Sequence, residues 1–365
     1  MRRYLKFTAL ILLATLVLWW FGRDLDWAGV RAAVGRADGR WITTGVLLVC
    51  GSYLVRALRW QALLAPLAPA GLRELFAATT VGFGAVFLVG RTGEVVRPAF
   101  LPFREPRVSP AASFVTIGVE RLYDMVAVVL IFAVNLIWFR APAGGDVAAY
   151  ARVRQAGVVL LTLAAVGVIA LVWFRRHTPL LLGWIGQKLE GRPAFVRRLG
   201  HLLVGLLEHL AQALSVLVDA RSLAVTVGWT ALLWTGIAAT NWIILRAFGL
   251  PFGLGETLFV LGFALVGSLV PTPGGAAGAF HAATAAGLVF LGTAREQAAA
   301  VSIVLHLVFF GPAVIFGLYY FLRSDVSLAR LKSLAQNSVP PVERGESKPS
   351  DRRPPSRRRE NLSSL

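Results

Sequence analysis

Apolar runs of about twenty residues dominate this chain, among them TALILLATLVLWWFG near the N-terminus and MVAVVLIFAVNLIWF from Met125 to Phe139. A helix of about 20 residues is what crosses the hydrocarbon core of a bilayer. Water is absent there, so each crossing must satisfy its own backbone hydrogen bonds, which a helix does. The sequence therefore predicts an all-α polytopic membrane protein. Only 15% of residues are charged, against roughly 25% in a typical soluble domain, and mean hydropathy is +0.67.

The formal net charge is +18. In a soluble domain that would suggest nucleic acid. Here the basic residues fall in loops and the tail, where they set topology and attract anionic lipid, so nucleic acid is not an expected partner. Cys50 is the single cysteine, which excludes an intramolecular disulfide and a thiolate metal site. The five histidines are scattered, and no cofactor or metal is expected. MRRYLK ahead of the first apolar run resembles a signal peptide, but no small-residue cleavage site follows, so it reads as an uncleaved first span.

About six full spans are expected, at 5–22, 41–60, 111–139, 155–174, 223–247 and 298–322. Two further segments, 72–103 and 256–291, are apolar but broken by Gly, Pro and charge. Residues 24–40 read as a short amphipathic surface helix, and 176–222 as basic helices on the membrane face. The chain divides into a membrane domain at 1–322 and a basic tail at 323–365, whose Pro, Ser and Arg content cannot build a core. Placing every basic region in the cytoplasm works if both broken segments dip in and return, one from each face. Two ordinary kinked spans would also keep the tail inside. The protein is thus expected in a bacterial cytoplasmic membrane with both termini cytoplasmic.

The first broken segment carries GRTGEVVRP from Gly90 to Pro98, and ERLYD at 120–124 opens a later span. As a helix, Arg91, Glu94 and Arg97 would share about a 120° arc, with Glu94 pairing to either arginine. Glu120 and Asp124 lie four apart on one face, with Arg121 three before Asp124. A charged side chain at the bilayer centre costs about 2.5–3.5 kcal/mol, so six such groups need partners, water or a polar ligand. Two readings follow: interfacial ion pairs that hold the fold, or a polar cavity whose arginines hold an anionic head group while carboxylates position them. In the second broken segment, Pro271 and Pro273 stop a half-helix. Gly274 and Gly275 then permit a tight turn, and a second half-helix starts near Ala279. Its free N–H groups would suit an anion; a simple proline kink is the alternative. His281, early in that half-helix, reads as a proton-linked group or an interfacial histidine, and His306 as a structural residue.

GRTGEVVRP, ERLYD and VPTPGG at 270–275, with LVRALRW at 54–60, resemble the motifs of a flippase-like integral membrane family. This is the family of the transmembrane region of lysylphosphatidylglycerol synthase. The resemblance covers about residues 1–322. It implies movement of charged phospholipids or polyprenyl-linked glycolipids across the membrane. Carried over, it points to Arg91, Gly93, Glu94, Arg97, Glu120, Arg121, Asp124 and the turn Pro271–Gly275 as substrate-binding. The family's compact Gly-x-Gly is followed by an acidic residue or His, whereas GGAAGAFH carries one extra residue before His281. The tail is too short and polar to hold the soluble domain that attaches lysine, so a full lysyl-lipid synthase is not expected. No G-x-S-x-G or H-E-x-x-H is present, and the sequence reading is of a translocator rather than an enzyme. A membrane-embedded lipid-modifying enzyme, and a partner subunit of a lipid or glycan synthase, are the alternatives. Membrane lipids are the expected partners, with a second copy of the chain or a synthase left open.

Overall fold

Two aspartates set the start of the helical array. Asp26 accepts from the Ala28 N–H at 2.9 Å and caps α1, Trp27–Arg36. Asp38 accepts from the Arg40 N–H at 2.8 Å and caps α2, Gly39–Leu64. A side-chain acceptor at the N-cap satisfies a donor that the helix itself leaves open. The computed structural model describes residues 21–139, 220–270 and 274–324, with isolated positions at 16 and 19 and between 148 and 173. The expected span at 5–22, the basic stretch up to 219, Pro271, Pro273 and the tail from 325 lie wholly or largely outside the described residues. The span at 155–174 is described only in part.

The first broken segment is a helical hairpin. α3, Leu72–Val89, ends in a 3-10 turn at Gly90–Val95, and α4, Val96–Arg104, folds back along it. Two glycines permit that closeness. A Cβ on Gly82 would sit 2.5 Å from Arg97 Cβ, and one on Gly93 would sit 2.4 Å from the Ala85 carbonyl carbon. α5, Pro110–Trp138, follows, capped by Ser109. α6 spans Ala220–Ala247.

The second broken segment is also a hairpin, formed by α7, Leu254–Gly267, and α8, Ala277–Phe290. Gly267 lies so close to α8 that a Cβ there would meet the Ala279 oxygen at 2.5 Å. At the turn, Gly274, Gly275 and Ala276 are consecutive left-handed residues, with φ of 74°, 62° and 63°. Glycine adopts this conformation freely, but Ala276 does so at a steric penalty. α9, Arg295–Leu322, closes the array.

Pairwise contacts fix the directions. α2 and α6 are antiparallel: the Asp38 N–H donates to the Ala247 carbonyl, and Arg59 reaches Thr230. α9 runs antiparallel to α3, with Gly317 on Thr80 and His306 beside Phe87. Its start lies near the open end of the second hairpin, and its end, at Tyr320, near Phe76 at the open end of the first. α9 is 28 residues, about 42 Å at 1.5 Å per residue. The two hairpins thus open at opposite ends of the array and point their turns toward each other. The chain is a multi-pass membrane protein. Among the described residues, Gly39–Leu64, Leu72–Val89, Arg221–Ala247 and Arg295–Leu322 are long and apolar enough to cross a membrane. α5 adds 29 residues with its charges in the first half.

Candidate functional site

Arg97 points from the first turn of α4 into the array, where it is 3% exposed. It donates to both carboxylate oxygens of Glu120 on α5, at 2.6 and 3.1 Å. Its guanidinium lies 4.3 Å from the centre of the Trp60 ring, and the Trp60 indole donates to Thr116 at 3.0 Å. Arg59 on α2 is fully buried and approaches Glu120 at 3.0 Å. It also donates to both oxygens of Asp124, at 2.7 and 3.1 Å, and to Thr230 Oγ1 at 3.2 Å. Trp234 donates to Asp124 at 3.3 Å. The outcome is a chain of alternating charges, Arg97–Glu120–Arg59–Asp124, drawn from α4, α5 and α2. Bidentate pairs of this kind offset the desolvation of buried ions through matched geometry.

The carboxylates four apart on one helical face thus act together, as their spacing indicates. The partner expected for Arg97 is corrected. Glu94 forms no ion pair with Arg91 or Arg97; it stays half-buried in the 3-10 turn. Arg97 belongs to the next helix and is aimed at α5. Arg121 is half-exposed and 3.8 Å from Asp124, and its Nε has no hydrogen-bond partner among the described residues. Gly93 serves the close approach of the turn to α3. The residue that the sequence reading left out is Arg59, the centre of the network. Its signal was the LVRALRW motif, which places a second arginine inside an apolar span.

Arg91 has a different role. It is exposed, and its Nε and Nη2 donate to the Ser268 carbonyl at 3.2 and 3.1 Å. Ser268 ends α7, so one side chain joins the turns of the two hairpins. Beside this joint, Gly275 faces His306: a Cβ there would lie 3.1 Å from His306 Nε2. His306 and His281 meet edge to face at 4.8 Å, both buried. Among the described residues, His281 Nδ1 and His306 Nε2 have no hydrogen-bond partner within bonding geometry. His306 is therefore no lone satisfied residue but half of an imidazole pair.

The described helices define an all-α polytopic membrane protein with a buried charge network. The chain belongs to the family described as the lysylphosphatidylglycerol synthase TM region, whose model matches residues 7–317. It is similar to the glycosyltransferase AglD of Haloferax volcanii, 25% identical over 355 residues, which cover 89% of this chain and 55% of that protein. It is also similar to UPF0104 membrane protein PH1989 of Pyrococcus horikoshii, 27% identical over 148 residues, 38% of this chain and 41% of that one. The chain spans about half the length of these curated relatives. The expectation of a non-enzymatic protein is corrected by these findings. A family named for a synthase and a relative named a glycosyltransferase both point to enzyme chemistry, at weak identity. Sequence signatures of soluble hydrolases and metalloproteases do not register chemistry performed on lipid.

Proposed function

We propose that this chain translocates a phospholipid or a lipid-linked head group across the cytoplasmic membrane, with both termini on the cytoplasmic side. The reading is carried by the joint between Arg91 and Ser268, where hairpins opening at opposite ends of the array meet turn to turn. Helices broken at depth, with polar groups at the break, are where transporters bind substrate. In this reading the hairpins are re-entrant, and the head group passes beside their joint while the tails stay in lipid. Arg91, Glu94 and Arg121 line the path. The closed network of Arg97, Glu120 and Asp124 backs it. Gly274, Gly275 and His281 sit at its far side.

The names of the relatives favour a second reading, in which this translocating part works within or beside a lipid or glycan synthase. The test is reconstitution of the purified full chain in liposomes carrying fluorescent phospholipids or polyprenyl-phosphate glycolipids, followed by bleaching of the outer leaflet. Faster exchange than in empty liposomes, lost in Arg91→Ala, is the expected result. Exchange no faster than in empty liposomes for every lipid would leave the synthase reading.

A further inference from the structure

The charge network does not balance at its edge. Among the described residues, the ion pairs of Arg97, Arg59 and Arg121 reach two carboxylates, Glu120 and Asp124, and Arg56 pairs with neither. Arg56 sits three residues before Arg59 on the same face of α2, and Arg59 is bidentate to Asp124, the carboxylate that Arg121 also approaches at 3.8 Å. Arg56 is half-buried, and among the described residues no carboxylate pairs with it. Instead its guanidinium rests 4.8 Å from the centre of the Phe83 ring. Phe83 is itself held edge-on to Tyr53 at 5.4 Å, and the Tyr53 hydroxyl donates to the Phe309 carbonyl at 2.6 Å. Arg121, on α5, approaches Asp124 at 3.8 Å, and its buried Nε has no hydrogen-bond partner among the described residues.

Depth sharpens the imbalance. Arg56 lies eight residues before the end of α2 and Arg121 eleven after the start of α5, about 12 and 17 Å from those helix ends. Two positive charges at that depth are unfavourable without counter-ions. The neutral core of the network cannot supply them, because Arg59 already occupies both oxygens of Asp124 and one of Glu120. A group that could is a phosphate, which accepts planar guanidinium forks and brings negative charge.

We propose that Arg56 and Arg121 form an anion subsite for the phosphate of a lipid head group, held at the edge of the closed network. The proposal rests on the lipid-handling reading above and names its substrate chemistry: a phosphate ester, not a neutral glycolipid head. Phe83 rests against the Arg56 guanidinium, and Asp124 lies 3.8 Å from that of Arg121.

The test is native mass spectrometry of the full-length chain in neutral detergent, with phosphatidylglycerol, diacylglycerol and inorganic phosphate as separate probes. Phosphatidylglycerol should bind, and Arg56→Gln or Arg121→Gln should each weaken it roughly tenfold or more, the loss of one charge-assisted contact. Arg56→Lys should restore part of the affinity. Arg31→Gln, on the exposed face of α1, should bind as the unaltered chain does. Thermal unfolding of each variant separates a lost ligand contact from a lost fold. Equal retention of phosphatidylglycerol by a stable Arg56→Gln/Arg121→Gln chain would overturn the proposal. So would equal binding of diacylglycerol, or binding of inorganic phosphate at the same concentration as the lipid. Liposome exchange of the same samples is read independently. Binding without exchange sinks translocation and keeps the subsite, whereas exchange unaffected in the double variant sinks the subsite and keeps translocation.

Discussion

The two hairpins solve one problem, a helix broken inside an apolar array, by opposite means. The first uses charge. Arg97 is threaded past Gly82 and matched to Glu120, and Arg59 completes the series with Asp124. The second uses backbone. Three left-handed residues turn the chain, and Gly275 faces His306, which is paired with His281. The difference teaches that dense charge can be consumed by the fold itself. The most charged part of the molecule is paired within itself, while Nε of Arg59, Arg97 and Arg121, His281 Nδ1 and His306 Nε2 have no hydrogen-bond partner among the described residues.

The contrast breaks most sharply at Glu120. Glu120→Ala strands Arg97 and Arg59 without their shared carboxylate, and loss of a buried ion partner costs about 3–5 kcal/mol. Thermal unfolding in detergent should show a collapse in stability, and a near-normal melting curve would mean that the network is not structural. Gly93→Ala comes next. Its methyl has no space against the Ala85 backbone, and overpacking costs about 1–3 kcal/mol. Gly275→Ala, at φ 62° and facing His306 and Phe310, should cost about 1–2 kcal/mol. If Gly275→Ala destabilised more than Glu120→Ala, the assignment of charge to one hairpin and backbone to the other would be reversed. Glu94→Ala should leave stability within about 0.5 kcal/mol, because it breaks no ion pair; any loss of lipid exchange in that variant is then direct.

The smallest effect lies outside the spans. Arg107 hydrogen-bonds both oxygens of Glu105, at 2.7 and 2.9 Å, and this holds the Glu105 carboxyl below its usual range. A depressed folded-state value means the contribution is complete above the ordinary carboxylate range. It fades as pH falls through the folded-state value. Arg107 is mostly exposed, so the effect is small. Stability of Arg107→Ala should differ from that of the unaltered chain near neutrality and converge with it in acid.

Element positions were legible because hydrophobic runs and their breaks are local properties. The spans read at 41–60, 111–139 and 223–247 are helices at 39–64, 110–138 and 220–247. Both interrupted segments are hairpins. Glu120 and Asp124 were legible as a pair since helical spacing alone places them together. Arg59 was not, because its carboxylates lie more than sixty residues away and only packing unites them. Glu94 misled for a related reason. Spacing by helical turns presumes one continuous helix, and the chain changes to a 3-10 turn between Gly90 and Val95.

α9, at about 42 Å, exceeds the roughly 30 Å hydrocarbon thickness of a bilayer, and both hairpins are packed along it. A helix too long for its bilayer tilts, and the tilt depends on lipid chain length. Tilting α9 would shear the hairpins against each other, and the strain would fall on the hydrogen bonds between Arg91 and Ser268. Membrane elasticity thereby acquires a lever on this protein: the acyl chains of surrounding lipids, which no polar residue touches, would help set how firmly the two turns are latched.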